Sequence, residues 1–357
     1  MANAKIKVQD TFIDFGSSTS ETWSIDEIDQ SKAFILVEGT AGNSNINWAR
    51  YRAYFSANDE VTIERSSQNG DGYASVYVVS CDPNDPDPAF TVEHGDLSFT
   101  ASDTGKTDNI SSIGDTDQCS VIVSATCSVN STPAAFIRGK LNSTTEVGLY
   151  RNTASGTCDA TYYVVKWNTD CNVYTGTTTN SSTSNTSNIG GTVDLSRSVL
   201  FFTWDNDTDG LAQHSTRGII SSTTQVQFKR ATSTGSNTVE WSVVEFPSDV
   251  VVQADNGTDT PTIGTGTDVN DTVSTYDTTA SFLVHSADST GTGGAKNRSR
   301  FVNSLVDSTT IQFDKIYTGQ TQNISYFLVD VSGWEYTTGD TPVVGNKYPL
   351  PAFKNIT

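Results

Sequence analysis

The chain repeats one pattern four times, and this repetition limits its fold more than any other feature of the sequence. Each copy contains a short apolar strand that begins at Val61, Val147, Val226 or Ile311. A cation follows four residues after each start, and an apolar pair follows seventeen residues after it. The cations are Arg65, Arg151, Arg230 and Lys315, and the pairs begin at Val78, Val164, Val243 and Leu328. Such a constant offset predicts four units of one topology.

An arginine also precedes each of these strands. The spacing is nine residues in three copies and eleven in the fourth, which gives Arg52, Arg138, Arg217 and Arg300. Further upstream, each copy has another apolar strand, such as Ala33–Val37 in the first copy. We expect all of these recurring positions to have structural roles that are the same in every copy.

The residue pattern favours an all-β chain. Short runs rich in Val, Ile, Thr, Tyr and Phe alternate with Gly, Asn, Asp and Ser clusters, which is typical of strands and turns. No window keeps the apolar spacing of an amphipathic helix, so we expect no helix longer than a turn or two. About five strands in about 80 residues fit a small β-sandwich, Ig-like or jelly-roll-like.

We therefore predict four tandem β-sandwich repeats at residues 1–82, 88–170, 171–247 and 249–331, with a C-terminal tail at 332–357. The segment between the first two repeats reads DPNDPDP. Because proline disfavours helix in the residue before it, this segment is expected to be a stiff, extended linker.

Charge and composition exclude some classes of function. The chain has 21 basic and 41 acidic residues, for a net charge of −20. It would repel phosphate backbones, so nucleic-acid binding is not expected. No apolar run reaches the ~20 residues that span a membrane. The N-terminal residues lack the basic start and apolar run of a secretory signal, which predicts synthesis in the cytoplasm without such a signal.

All five cysteines lie between positions 81 and 171. If the strands of the second repeat form a meander, Cys127 and Cys158 lie at one end, and Cys119 and Cys171 at the other. This arrangement allows two disulfides with Cys81 left over. The alternative is that all five remain reduced, half-buried thiols.

One segment resembles part of a calcium-binding loop. Asp205, Asp207 and Asp209 alternate before a glycine, as in the first half of a loop that surrounds one hard cation. Thr216 stands where the full loop has a bidentate glutamate, and Asp and Asn are also common turn residues. The alternatives are therefore a calcium site and an ordinary turn, and no other cofactor is expected.

The cations that follow the strands, Arg65, Arg151, Arg230 and Lys315, share the parity of inward-facing residues. We expect each at a strand end, with its stem over the core and its charged head in water or paired with an acid. No histidine lies near a nucleophile motif, and no G-x-S-x-G sequence occurs.

The clearest copy of the repeat combines STTQVQFKR at 222–230 with WSVVEF at 241–246. This pattern resembles the tandem β-sandwich repeats of structural and fibre proteins of tailed bacteriophages and related viruses, over most of residues 30–331. The resemblance implies a non-enzymatic virion structural protein, such as a capsid decoration, head fibre, or tail or collar component. It would lie on the virion exterior and bind other virion proteins and copies of itself.

Two other functions remain open at the level of sequence. One is a carbohydrate-binding adhesin or receptor-binding protein that recognises a host glycan. The other is a glycan-active enzyme on a β scaffold, which would need two carboxylates ~5–10 Å apart in a groove.

Overall fold

The computed structural model describes residues 6–42, 45–68, 70–209, 215–255, 261–264, 268–289, 301–316 and 321–334. It confirms an all-β fold, because most of the described chain is strand and its single α-helix, α1, is the one-turn segment Thr132–Ala135. None of the described helices is long and apolar enough to cross a membrane.

The first two repeats contain six strands each. Those of repeat 1 are β1 (Ile6–Asp14), β2 (Ser20–Ser24), β3 (Ala33–Ala41), β4 (Tyr51–Ala57), β5 (Glu60–Arg65) and β6 (Gly72–Cys81). Those of repeat 2 are β7 (Phe90–Phe99), β8 (Gly105–Asn109), β9 (Cys119–Cys127), β10 (Arg138–Ser143), β11 (Glu146–Tyr150) and β12 (Cys158–Trp167).

The last two repeats follow the same order. Those of repeat 3 are β13 (Asn172–Asn180), β14 (Ser184–Asn188), β15 (Ser198–Asn206), β16 (Arg217–Ser222), β17 (Gln225–Lys229) and β18 (Asn237–Glu245). Those of repeat 4 are β19 (Val251–Ala254), β20 (Thr262–Ile263), β21 (Asp268–Thr272), β22 (Ser281–Ser289), β23 (Val302–Asp307), β24 (Thr310–Asp314) and β25 (Gln322–Asp330). In repeat 4, β19 and β20 together correspond to the single first strand of the other repeats, since both pair with the last strand, β25.

Repeats 1 to 3 each consist of two three-stranded antiparallel sheets, and repeat 4 differs only in that β19 and β20 make its first sheet four-stranded. In repeat 1 the strand orders are β1-β6-β3 and β2-β5-β4, and the other repeats have the same two orders. Each last strand is therefore the centre of its sheet. Such a strand is buried on both faces, which explains why the apolar pairs beginning at Val78, Val164, Val243 and Leu328 are inaccessible to solvent. Their predicted burial is confirmed.

The four repeats share a large apolar core. One cluster of buried side chains contains residues of all four repeats, and a second cluster lies mainly in repeat 2. Trp167 of repeat 2, for example, packs its ring against Phe34 of repeat 1 and against Phe201 and Phe246 of repeat 3. The repeats are therefore not independent sandwiches that touch only at their ends.

The predicted linker at 82–88 is also folded onto repeat 1. Lys32 donates hydrogen bonds to the carbonyls of Pro83 and Asp85 at 2.7 and 2.9 Å. The Asp85 amide donates to the carbonyl of Asp82, and the Asp82 and Asp85 carboxylates each accept a nearby backbone amide. These bonds close turns, so the segment is not the extended linker that its prolines suggested.

Candidate functional site

The recurring cations that follow the strands by four residues, here called the first set, lie inside the molecule. Arg65, Arg151, Arg230 and Lys315 are at most 3% exposed. The described contacts of their charged heads are mainly with backbone carbonyl oxygens. Thus Arg65 donates to the carbonyls of Ser18, Gly70 and Gly16 at 2.8–2.9 Å. For the three arginines the expectation of a head in water or paired with an acid was wrong, because turn carbonyls converge on each guanidinium.

Each arginine of this set ties two turns together. Arg151 donates to Thr100 and Asp103 in the turn after the first strand of its repeat, and to Ser155 and Gly156 in the turn before the last strand. Gly156 has a φ of 57°, a conformation that favours glycine. Burial lowers the pKa of Arg151, but a guanidinium that donates five hydrogen bonds remains charged in proteins.

Repeats 3 and 4 contain variants of the same arrangement. Arg230 donates to the carbonyls of Ser182, Thr234 and Gly235. Lys315 donates to the carbonyl of Gly264 at 2.9 Å. Arg230 thus holds the same two kinds of turn, and the described contact of Lys315 is with the turn after the first strand. The recurring cation therefore organises one end of each repeat.

The second set of arginines joins each repeat to the next one. Arg52 of repeat 1 contacts Asp96 and Thr161 of repeat 2 at 2.8 Å. Arg138 of repeat 2 contacts Asp205 and Glu240 of repeat 3 at 2.9 and 2.7 Å. Arg217 of repeat 3 contacts Asp288 and Ser325 of repeat 4 at 3.1 and 3.2 Å. The structural role expected of these residues is therefore an interface role.

The structure corrects the fourth position of this set. Arg300 lies outside the described residues. In the strand pairing, Arg52 lies opposite Glu64, Arg138 opposite Tyr150, and Arg217 opposite Lys229. The residue at this position in repeat 4 is Val302, which lies opposite Asp314. The spacing of nine residues is thus kept in all four copies, but the arginine is not.

A backbone hydrogen bond accompanies each interface. The amides of Ala53, Gly139 and Gly218 donate to the hydroxyls of Ser124, Thr203 and Ser286 in the following repeat, at 2.9–3.1 Å. Strand β10 also lies close to β9 of its own repeat, since a Cβ added at Gly139 would lie 2.6 Å from a methyl group of Val123. Serine and threonine hydroxyls suit this place because they are small and accept the buried amide.

A related bond joins repeat 4 to repeat 1, although its acceptor lies on the last strand, β6, and not on the third strand. The Asn303 amide donates to the hydroxyl of Ser75 at 3.3 Å, and the hydroxyl of Tyr77 donates to the Asn303 side chain. The amide of Ile316 donates to the hydroxyl of Thr40 at 3.5 Å. Repeats 1 to 4 therefore form a closed ring, in which β4, β10, β16 and β23 each contact the next repeat.

A cavity of about 130 Å³ lies where the third strands of all four repeats meet. Leu36, Ile122, Phe201 and Val284 occupy the same place in β3, β9, β15 and β22, and all four line it. The cavity is thus on the axis that relates the repeats. Its lining is largely apolar, with Glu38, His285 and several hydroxyl groups among the polar residues.

The aspartates of the calcium-like segment do not converge. Asp205 lies in strand β15 and accepts from Arg138, whereas Asp207 accepts from the amide and hydroxyl of Ser236. Asp209 accepts from the amide and hydroxyl of Thr132. Over the described ranges, no group of three acidic, histidine or cysteine side chains is arranged to hold a metal. The calcium interpretation is therefore wrong for these three residues.

The cysteines divide into one bonded pair and three thiols. Cys127 and Cys158 lie directly opposite each other on β9 and β12 and form a disulfide, with a Cα–Cα distance of 4.1 Å. Cys119 and Cys171 are both free and buried, so the second predicted disulfide is wrong. Their side chains enter different apolar clusters, and Cys81, also free, shares the cluster of Cys171. Burial raises the pKa values of Cys81 and Cys119 to about 12.

The outer edges of the ring are polar. The second strand of every repeat pairs with only one neighbour and alternates exposed with half-buried residues. The exposed positions are Ser20, Thr22, Ser24, Gly105, Thr107, Asn109, Ser184, Thr186, Asn188, Asp268, Asn270 and Thr272. These four strand edges carry free backbone groups, which other chains can pair with.

Trp204 and Trp241 are used in packing, although aromatic rings of this kind can also serve as platforms for sugars. Trp241 is buried and donates to the hydroxyl of Thr178, and Trp204 packs against Phe136 and Phe202. A polar groove nevertheless lies between repeats 2 and 3. Asp117, Lys140 and Glu240 line it.

No protein-family model matches this chain, and a search of curated proteins finds no match either. The functional argument therefore rests on the residues and their geometry.

Proposed function

We propose that the chain is a non-enzymatic structural protein of a virus particle, a capsid decoration, head fibre, or tail or collar component. It is made in the host cytoplasm and sits on the particle exterior. There it assembles with other particle proteins and with copies of itself. The repeat pattern quoted above, which resembles such proteins, is one support for this proposal.

The observation that carries the proposal is the fourfold repetition of the outer strands. Because the ring presents β2, β8, β14 and β21 in equivalent places, one molecule offers four similar edges to its surroundings. Several weak contacts made by one body give much tighter attachment than any single contact does. A rigid ring with a large shared core suits this use, since its edges keep fixed relative positions.

The charge of the chain also favours assembly through defined contacts. At −20, copies repel one another at long range, so association requires specific interfaces or screening by salt. A specific contact of this kind usually buries at least ~1,000 Å². We therefore expect a soluble isolated protein that assembles only when its partners are present.

Mass spectrometry of purified virus particles from the source of this sequence tests the proposal. The expected result is that the chain is present at a fixed ratio to the major capsid or tail protein, and that it survives high-salt washing. Its absence from particles would contradict the proposal.

The polar groove between repeats 2 and 3 favours one second candidate, binding of a glycan. Carboxylates, an ammonium group and threonine hydroxyls offer both donors and acceptors to sugar hydroxyls. Saturable binding on a glycan array, lost in an Asp117→Ala/Lys140→Ala variant, would favour this function. No binding to any glycan on the array would count against it.

A further inference from the structure

Two acidic side chains face each other in repeat 4, in a place where no other repeat pairs acids. Asp268 on β21 lies directly opposite Asp314 on β24. The corresponding pairs in the other repeats are Ser20–Glu64, Gly105–Tyr150 and Ser184–Lys229. Like charges directly opposite each other destabilise a sheet.

Asp314 is buried, and one of its oxygens has no hydrogen-bond partner. The residue is 2% exposed. Its Oδ1 atom accepts from Gln312 at 3.2 Å, whereas Oδ2 is buried and has no partner. Burial and the charge of Asp268 raise the pKa of Asp314 to about 7. A buried carboxylate oxygen without a donor or a cation is costly, because its hydration is lost.

In repeat 1, an arginine lies opposite the acid at the position equivalent to Asp314. Arg52 lies opposite Glu64 and contacts it at 3.1 Å. In the same register, repeat 4 has Val302 in place of Arg52 and Asp314 in place of Glu64. Repeat 4 thus keeps the acid of this pair without the arginine opposite it.

We propose that a hard divalent cation, Ca²⁺ or Mg²⁺, binds between Asp268 and Asp314. It supplies there the positive charge that Arg52 supplies to Glu64 in repeat 1. Both cations prefer carboxylate oxygens, and Mg²⁺ commonly binds through one or two carboxylates and keeps several waters. Two carboxylates suffice for such a site, and the unpartnered Oδ2 atom is a ready ligand.

The site also lies beside the interface that closes the ring. Asn303 and Ile316, on the strands and turn around Asp314, both donate to hydroxyls of repeat 1. A bound cation removes the repulsion between Asp268 and Asp314, so it stabilises repeat 4 next to this interface. The inference goes beyond the proposed function, because the cation site does not depend on whether the protein belongs to a virus particle.

Thermal unfolding of the full-length protein tests the site. Protein treated with EDTA is dialysed and titrated with CaCl₂ or MgCl₂, while KCl keeps the ionic strength constant. We expect a saturable rise of roughly 5 °C for at least one cation at a hundredfold excess over its Kd. Asp314→Asn should abolish the rise. Asp207→Asn, which changes an acid of the calcium-like segment, should keep it.

A second variant separates a missing site from a damaged fold. Asp268→Asn removes the carboxylate of the exposed residue of the pair, so it should fold like the parent protein and still lose most of the response to either cation. An unchanged response in Asp314→Asn, or in Asp268→Asn, would show general charge screening and overturn the proposal. Absence of any rise in the parent protein would overturn it as well.

Discussion

The guanidinium of Arg217 in repeat 3 contacts the carboxylate of Asp288 in repeat 4 at 3.1 Å, and both side chains are 7% exposed. This ion pair crosses from one repeat to the next, and related pairs join repeat 1 to repeat 2 and repeat 2 to repeat 3. Buried pairs of this kind add little net stability compared with apolar packing, but removing one partner leaves a buried, unpaired charge.

The Arg217→Ala substitution is therefore expected to lower the free energy of unfolding by about 3–5 kcal/mol. Urea denaturation followed by intrinsic fluorescence measures this change. Lys7→Ala is the matched control, because Lys7 pairs with Asp26 and both side chains are 43% exposed. Such a surface pair is worth about 0–1 kcal/mol. Equal losses in the two variants would contradict the interface role of Arg217.

The buried Arg65 should not tolerate replacement by lysine, although both side chains are cationic. Arg65 donates to three carbonyls in two turns, and a lysine cannot reach all of them with one nitrogen. Each carbonyl left without a donor costs ~1–3 kcal/mol. Hydrogen exchange in the turns around Gly16 and Gly70 should therefore become faster in Arg65→Lys. Unchanged exchange in both turns would show that the arginine does not hold them.

The disulfide between Cys127 and Cys158 should stabilise the protein by about 3–4 kcal/mol, because it closes a loop with a sequence separation of 31 residues. Reductant should lower the melting temperature of the parent protein but not that of Cys127→Ala/Cys158→Ala. Under native conditions the buried thiols Cys81, Cys119 and Cys171 should resist alkylation. Rapid alkylation of all five cysteines without reductant would contradict this assignment.

Stability should depend on pH through Asp314. Its pKa is raised from 3.8 to about 7 in the folded protein, so the folded state binds more protons than the unfolded state between these values. Without divalent cations, the contribution of this carboxyl group to the free energy of unfolding is fully present below about pH 4 and is lost as the pH rises through 7. Asp314→Asn should therefore raise the melting temperature at pH 8 in EDTA and leave it nearly unchanged at pH 4. A gain of the same size at both pH values would show that ionisation of Asp314 is not the cause.

The sequence was sufficient to predict the strands and their repetition, but not the contacts between repeats. The seventeen-residue offset before Val78 and Val164 was visible because a central strand must be apolar on both faces. The burial of Arg65 was missed, since its carbonyl partners are backbone atoms that no residue type reveals. In repeat 4 the strand register places Val302 at the position of Arg52, and a pattern of charges alone does not reveal this register.

The contacts of the cysteines and of the acidic residues were also only partly predictable from the sequence. The disulfide pair faces across two neighbouring strands, so strand order alone brings Cys127 and Cys158 together. Cys119 and Cys171 lie at the same end of the repeat, yet their side chains enter different parts of the core. The facing acids Asp268 and Asp314 are separated by 46 positions, and only the register of β21 and β24 shows that they meet.

Native-state hydrogen exchange at four equivalent amides tests the closed ring most directly. The amides of Ala53, Gly139, Gly218 and Asn303 each donate to a hydroxyl group of the neighbouring repeat. A closed ring predicts that all four exchange slowly, including Asn303, whose acceptor Ser75 belongs to the opposite end of the chain. Protection of the first three with exchange of Asn303 at the rate of an unfolded peptide would contradict the account.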